Sequence, residues 1–332
     1  MMRLSTLIAA AAIAISSVAS AADIKPAVVY DMGGKFDKSF NEGVWNGVQK
    51  FTEETGIEVM EFEVTNETQR EQAIRRMAER GATVVLGVGF AQADAIAKVS
   101  AEFPDTQFSI IDVGWLDGAN LRQYVFKEHE GSYIVGVAAA KASQTGKVGF
   151  VGGMDIPLIS KFACGYVGGV KSVNASAEVF QNMTGSTPSA WNDPAKGAEL
   201  TQSQIDRGAD VVYHAAGGTG SGVIRAAADA GKLAIGVDSN QNGMAPGSVL
   251  TSMLKRVDVA AYQTFMDAKN GSFTSGVQVL GLAEGGVDWA LDDNNASLVT
   301  ADMKAAVEAA KQDIISGKVV VHDFTTDSNC PY

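Results

Sequence analysis

An internal repeat constrains this chain more than any other feature. The run Phe40-Asn41-Glu42-Gly43-Val44-Trp45-Asn46-Gly47-Val48 is mirrored by Phe162-Ala163-Cys164-Gly165-Tyr166-Val167-Gly168-Gly169-Val170. Further along, Arg80-Gly81-Ala82-Thr83-Val84-Val85 returns as Arg207-Gly208-Ala209-Asp210-Val211-Val212. Each copy then passes through a helix pattern to a strand ending in aspartate, Asp112 or Asp238. The gap from arginine to aspartate is 32 residues in one copy and 31 in the other. Matched landmarks in one order at near-equal spacing predict two similar lobes.

Within each copy, short apolar strands alternate with helix patterns. The first has strand-like runs at Ala27–Tyr30, Ile57–Val64, Thr83–Leu86 and Phe108–Asp112, with helices expected over Glu67–Arg80 and Gln92–Glu102. The second begins with Lys147–Val151 and continues through Val211–Tyr213. This alternation indicates an α/β fold with doubly wound parallel sheets. After Asp238 come a polar loop, an apolar run (Val249–Leu254), a helix (Val257–Asn270), a strand (Gly276–Leu282), a long amphipathic helix (Ala301–Gly317) and a last short strand at Val319–Val321. A chain that has begun a second lobe with strands still to place returns to the first. We therefore expect one lobe from residues 22–128 plus 257–282 and the other from 129–256 plus 283–332, joined by a multi-strand hinge.

With the lobes facing each other, the carboxyl ends of both sheets line one cleft, where α/β proteins bind ligands. Asp31, Phe40 and Asp112 then look across at Asp238 and the Gly217-Gly218 turn. Strand-end aspartates commonly cap their own loops, so the argument rests on the pair in register. Ser39 followed by Glu42 reads as a capping box that starts a helix at Phe40 and Asn41. The spacing Phe40, Val44, Val48, Phe51 taken alone reads as core.

At the amino end, Met1-Met2-Arg3, an apolar run from Leu4 to Val18 and Ala19-Ser20-Ala21 form a cleavable secretory signal over residues 1–21. No cysteine stands near the cleavage site, so an acyl anchor is not expected. No later run reaches the ~20 apolar residues of a membrane span. The expectation is a free periplasmic protein. The net charge of −12 argues against nucleic acid or an anionic membrane as partner. Two cysteines, Cys164 and Cys330, are too few for a disulfide framework. In an oxidising compartment they could form one bond tying the tail to the body, or stay apart.

Signals for catalysis are poor. His129, His214 and His322 have no metal-site spacing, there is no G-x-S-x-G elbow, and no cofactor or metal is expected. Gly218-Thr219-Gly220, with Asp238 20 residues on, approaches a dinucleotide fingerprint. Val223 stands where the third glycine belongs. Those glycines read better as letting backbone amides approach a neutral ligand.

The motifs DKSFNEG (37–43), FVGGMDIPLISKFACGYVGGVK (150–171), WNDPAKG (191–197), GVDSN (236–240) and TSMLKRVD (251–258) together resemble the basic membrane protein family. These are purine nucleoside-binding proteins of ABC importers with a type I periplasmic binding protein fold. The resemblance covers essentially the whole mature chain. It implies a monomer of two lobes on three hinge strands that closes on a nucleoside and delivers it to ABC permease subunits. It also implies that Phe40 and Trp191 stack on the two faces of the base and that Asp31, Asn41 and Asp112 bond its edge. Asp238 would take the ribose hydroxyls, Lys255 would hold the ribose and pair with Asp238, and Gly218 would offer backbone contact. Many members carry a cysteine at the cleavage site; this chain does not. Rival readings are the same fold binding a sugar or other small polar ligand, a nucleoside hydrolase using the cleft carboxylates, and a sensor presenting ligand to a membrane receptor.

Overall fold

Ala27, Val28, Val29 and Tyr30 carry no charge and are fully buried, so the first strand lies inside a sheet rather than at its edge. The computed structural model describes residues 24–332; the expected signal segment, residues 1–21, lies outside the described residues. The elements run β1 (Pro26–Tyr30), α1 (Phe40–Thr55), β2 (Met60–Glu63), α2 (Gln69–Glu79), β3 (Val84–Gly87), α3 (Ala93–Glu102), β4 (Gln107–Ile111) and β5 (Leu121–Phe126). They continue with α4 (Glu128–Ala142), β6 (Lys147–Met154), α5 (Pro157–Val173), β7 (Glu178–Gly185), α6 (Pro194–Asp206), β8 (Val211–Ala215), α7 (Gly220–Asp229), β9 (Leu233–Asp238) and β10 (Val249–Lys255). Last come α8 (Val257–Asn270), β11 (Gly276–Leu280), β12 (Val287–Trp289) and α9 (Ala301–Ile315).

The strands form two six-stranded sheets, ordered β11-β5-β4-β3-β1-β2 and β12-β10-β9-β8-β6-β7. β6 to β10 thus repeat the order of β1 to β5. Pairing is parallel except between β12 and β10. The α/β fold with two parallel-sheet lobes is the one the repeat predicts. The chain crosses between the sheets three times, after β5, after β10 and between β11 and β12. The crossings are tied side by side: the Lys127 amide donates to the Leu280 carbonyl and the Arg256 amide to Gly286.

The repeated glycines have a packing reason. α1 lies against α8, and a Cβ at Gly43 or Gly47 would collide with Val257 or the Asp258 carbonyl. α5 lies against α4, and a Cβ at Gly165 or Gly169 would collide with the His129 or Tyr133 carbonyl. Each pair is one helix that follows its sheet's first strand and one that enters from a crossing.

One expectation about elements needs correction, and one helix start is placed by the structure alone. Residues 319–321 form no strand: Val320 is 84% exposed, and the segment folds back so that the Val319 amide donates to the Asp313 carbonyl at the end of α9. α5 begins at Pro157, well before Phe162; proline at the first helical position supplies the fixed φ and lacks an N–H that would have no partner.

Candidate functional site

A pocket lies between the carboxyl ends of the two sheets. Asp31, Phe40, Asn41, Asp112, Trp191, Asp238 and Lys255 all line it. Gly218 is the exception among the expected residues. Its neighbour Gly217 lines the pocket instead, with a φ of 55° that L side chains rarely adopt, while Gly218 sits behind it near the Trp191 carbonyl and Asp37.

Asp31 follows β1, and its Oδ1 accepts from Arg70 Nε at 3.0 Å. Burial pushes its pKa up, and Arg70 opposes the rise. The turn after it delivers α1. The expected capping box is absent: Ser39 occupies the cap position but its side chain makes no cap bond. Asp37 does that work. Its carboxylate accepts from the backbone amides of Ser39 (2.8 Å), Asn41 (3.0 Å) and Glu42 (3.1 Å), satisfying donors that a helix start leaves orphaned. Glu42 bonds the amide and ammonium of Lys38 rather than the Ser39 amide. The Ser39 hydroxyl is drawn elsewhere, donating across the cleft to Asp238. With α1 so capped, Phe40 and Asn41 begin it at the pocket wall. Asn41 is 3% exposed, and its Oδ1 has no hydrogen-bond partner. A buried carbonyl left in that state costs about 1–3 kcal/mol unless a ligand donor answers it.

On the opposite wall, Trp191 ends a short 3₁₀ turn (Pro188–Trp191). A Cβ at Gly153 would overlap its ring, so the indole is packed directly against Gly153, where only glycine leaves room for it. Phe162, unremarked as a site residue, also lines the pocket. Lys255 Nζ is 5.1 Å from the Phe40 ring centroid and 5.6 Å from that of Phe162. The two phenylalanines matched by the repeat therefore flank one ammonium.

Asp112 and Asp238 both adopt left-handed backbone, φ 68° and 63°. Aspartate tolerates this region better than most residues but still at a cost, and such strain concentrates at functional sites. Burial pushes both pKa values up, Asp238 to about 7. At Asp238, Lys255 and the Ser39 hydroxyl work against the rise, while Asp37 and Asp112 add to it.

The expected Lys255–Asp238 pair is not the one formed. Lys255 Nζ lies 2.6 Å from Asp112 and 3.0 Å from Glu128, and it acts on Asp238 only through space. Asp112 reaches it from the other lobe, and Asp238 is already engaged by Ser39. Glu128 also meets Lys161 at 2.9 Å, and Lys161 meets Asp323 of the tail at 3.5 Å. Burial disfavours the Lys255 charge, but Asp112 and Glu128 more than compensate and hold its pKa above the ordinary lysine value. Burial likewise opposes the Glu128 charge, yet Lys161 and Lys255 bring its pKa below the usual carboxylate value. Glu128, Lys161 and Asp37 were not legible as parts of this site, because a charge in a helix pattern looks the same whether it meets water or a buried partner. Cys164 and Cys330 are bonded, with Cα atoms 5.6 Å apart, which ties the tail to α5.

Among the described residues no His, Cys, Asp or Glu cluster could hold a metal ion, and no helix is long and apolar enough to cross a membrane.

Comparisons with known proteins place this geometry. Residues 24–324 match the Bmp family, described as ABC transporter substrate-binding protein PnrA-like. The chain is 34% identical to the ABC transporter nucleoside-binding protein BmpA of Lactococcus lactis, over 90% of this chain and 89% of that one. It is 31% identical to basic membrane protein A of Borreliella burgdorferi, over 89% and 87%. Among solved structures, an ABC transporter solute-binding protein from Aeropyrum pernix K1 superposes with a TM-score of 0.83 at 28% identity, covering 90% of this chain and 94% of that one. The Lac repressor, 12% identical with a TM-score of 0.55, shares the fold alone. The matched family and the Aeropyrum pernix structure are ABC transporter substrate- or solute-binding proteins, a class without enzymatic activity. The chain belongs to the Bmp family of PnrA-like ABC transporter substrate-binding proteins.

Proposed function

We propose that this protein binds a purine nucleoside between its lobes and delivers it, as a periplasmic protein, to the permease of an ABC importer. The observation that carries this reading is the pair of left-handed strand-end aspartates, one from each lobe, in a pocket that also holds Phe40, Trp191 and the unanswered Asn41 carbonyl. An aromatic side chain stacked on a base contributes roughly 1–3 kcal/mol whatever the base. One carboxylate can accept from both hydroxyls of a ribose, which suits Asp238. Asp112, clamped to Lys255, positions that ammonium near Phe40 and serves the ligand with whatever lone pairs remain. Asp31 keeps Oδ2 for a base-edge donor, its Oδ1 being held by Arg70. Four pocket carboxylates (Asp31, Asp37, Asp112 and Asp238) against one lysine disfavour phosphate, so the class is nucleoside rather than nucleotide. The relative named for nucleoside binding supports the same class.

Calorimetry with guanosine, adenosine, inosine and GMP tests this. Binding of at least one nucleoside, with GMP much weaker, is expected. No heat from any nucleoside at high micromolar concentration sinks the proposal.

A further inference from the structure

Ser39 is fully buried at a helix start and yet plays no part in capping that helix. Three hydrogen bonds, two made by Ser39 and one by its neighbour Lys38, explain its commitment, and all of them cross from one lobe to the other. The Ser39 hydroxyl donates to Asp238; the Ser239 hydroxyl donates to the Ser39 carbonyl at 3.0 Å; Gln241 Nε2 donates to the Lys38 carbonyl at 2.8 Å. Lys38 presents that carbonyl from a left-handed conformation, φ 62°.

The lobe that carries β6 to β10 (lobe 2, the lobe of β1 to β5 being lobe 1) is preorganised to receive it. Gln241 is 2% exposed, and its Oε1 accepts from the Val237 amide at 2.9 Å and faces His214 Nε2 at 2.9 Å. The Gln241 backbone N–H donates to the Ser252 hydroxyl at 2.9 Å. With the side chain clamped at Oε1, its amide hydrogens are aimed at lobe 1. On the lobe 1 side, the cap supplied by Asp37 leaves the Ser39 hydroxyl free for the crossing.

We propose that residues 38–39 and 238–241 form a closure latch, whose bonds exist only while the lobes are shut and whose purpose is to slow ligand release. The ligand part of this rests on the nucleoside reading above; the latch itself does not. Hinge opening moves the two runs apart and returns their groups to water, so the bonds favour the closed state alone. The latch engages the same carboxylate that faces the pocket, so closing the lobes and shaping the ligand site are one event. Contacts of this kind act on dissociation rather than on encounter.

Stopped-flow binding of guanosine and adenosine to the wild type, Ser39→Ala and Ser239→Ala tests the ligand part. Ser239→Ala should release ligand about threefold to tenfold faster, the range for one lost neutral hydrogen bond, and Ser39→Ala, which loses a bond to a carboxylate, at least about tenfold faster, with the association rate within about twofold in both. An unchanged release rate, or a loss carried by association, overturns it. Ser39→Ala keeps the Asp37 cap and should melt with the wild type; Ser239→Ala provides the same readout if it does not. A second arm needs no ligand. Spin labels, one on each lobe, should show the distance distribution of ligand-free Ser39→Ala moving toward the open form. If that distribution matches the wild type, the latch is wrong even where nucleosides bind. If it moves and no nucleoside binds, the latch stands and the nucleoside reading fails.

Discussion

Asp112 and Asp238 end equivalent strands, β4 and β9, with nearly the same backbone, yet they meet different partners across the cleft. Asp112 is answered by an ammonium, Lys255 at 2.6 Å; Asp238 is answered by the hydroxyl of Ser39. The duplicated scaffold decides where each carboxylate stands, and unduplicated residues decide its electrostatics. By position before the crossing helices, the counterpart of Lys255 on β10 is Phe126 on β5, and that of Glu128 in α4 is Val257 in α8. By the matched phenylalanines, the counterpart of Ser39 is Lys161, which meets Glu128 and the tail residue Asp323 rather than a strand-end aspartate. One lobe-end position is therefore locked by charge, and the other is left with a neutral donor and room for a ligand.

The largest effect should come from the charge side. Lys255→Met leaves Asp112 and Glu128 buried beside each other with only Lys161 nearby. Breaking a buried ion pair in this way costs about 3–5 kcal/mol, and denaturant unfolding should show it as a lower midpoint with an unchanged slope. Adding Asp112→Asn should recover part of the loss. A Lys255→Met protein as stable as the wild type would show that the asymmetry between the two aspartates is not electrostatic. Next in size is the response of binding. Asp238→Ala should weaken nucleoside binding by at least about tenfold, because a hydrogen bond to a charged group is worth roughly 1.5–3 kcal/mol, while the fold stays intact. Asp112→Ala should lower both affinity and stability. If the two variants behave alike, the aspartates are duplicates in function as well as in place.

A smaller effect separates the helix starts. Asp37 answers three backbone amides of α1, whereas α5 begins on Pro157 with no side-chain cap. Asp37→Ala should cost about 1–2 kcal/mol, the usual loss for a helix cap, read by the same denaturant titration. No change would return the cap to Ser39.

How much of this was legible in the sequence follows the same division. The repeat, the α/β alternation and the strand-end aspartates could all be read, because they are local patterns with a period. The repeated glycines were legible only as part of the repeat; that each pair packs against a helix arriving from a crossing is visible in the structure alone. Partner choice could not be read. Ser39 and Glu42 have the spacing of a capping box, but Asp37 competes for the same amides and Asp238 for the same hydroxyl, and that contest is settled in three dimensions. Lys255 was visible and its pairing was not, since Asp112 lies 143 residues away. Phe162 was matched to Phe40 as a repeat position; that both should face one ammonium depends on how the lobes close.

The last expected effect is one of pH dependence and isolates Asp238. Its folded pKa, about 7, lies above the ordinary carboxylate value near 3.9. Between those two values the native protein holds a proton that the unfolded chain has released. Stability from this group is therefore complete below about pH 4 and is lost as pH rises toward 7, with a slope of at most about 1.4 kcal/mol per pH unit. Asp37, pushed up to about 6 by burial, acts in the same sense. Buried His214, held down at about 4, acts in the opposite sense, because it stays neutral where the unfolded chain is charged. The total for the wild type is thus a mixture, and the informative quantity is a difference. Asp238→Asn removes one titration and keeps the shape. Its melting temperature relative to the wild type should be higher at pH 8 than at pH 5, since at pH 8 only the wild type buries the charge. An offset that does not change with pH would mean that Asp238 stays ionised throughout, and that the Ser39 hydroxyl and the through-space pull of Lys255 stabilise its charge as well as the direct ion pair does at Asp112.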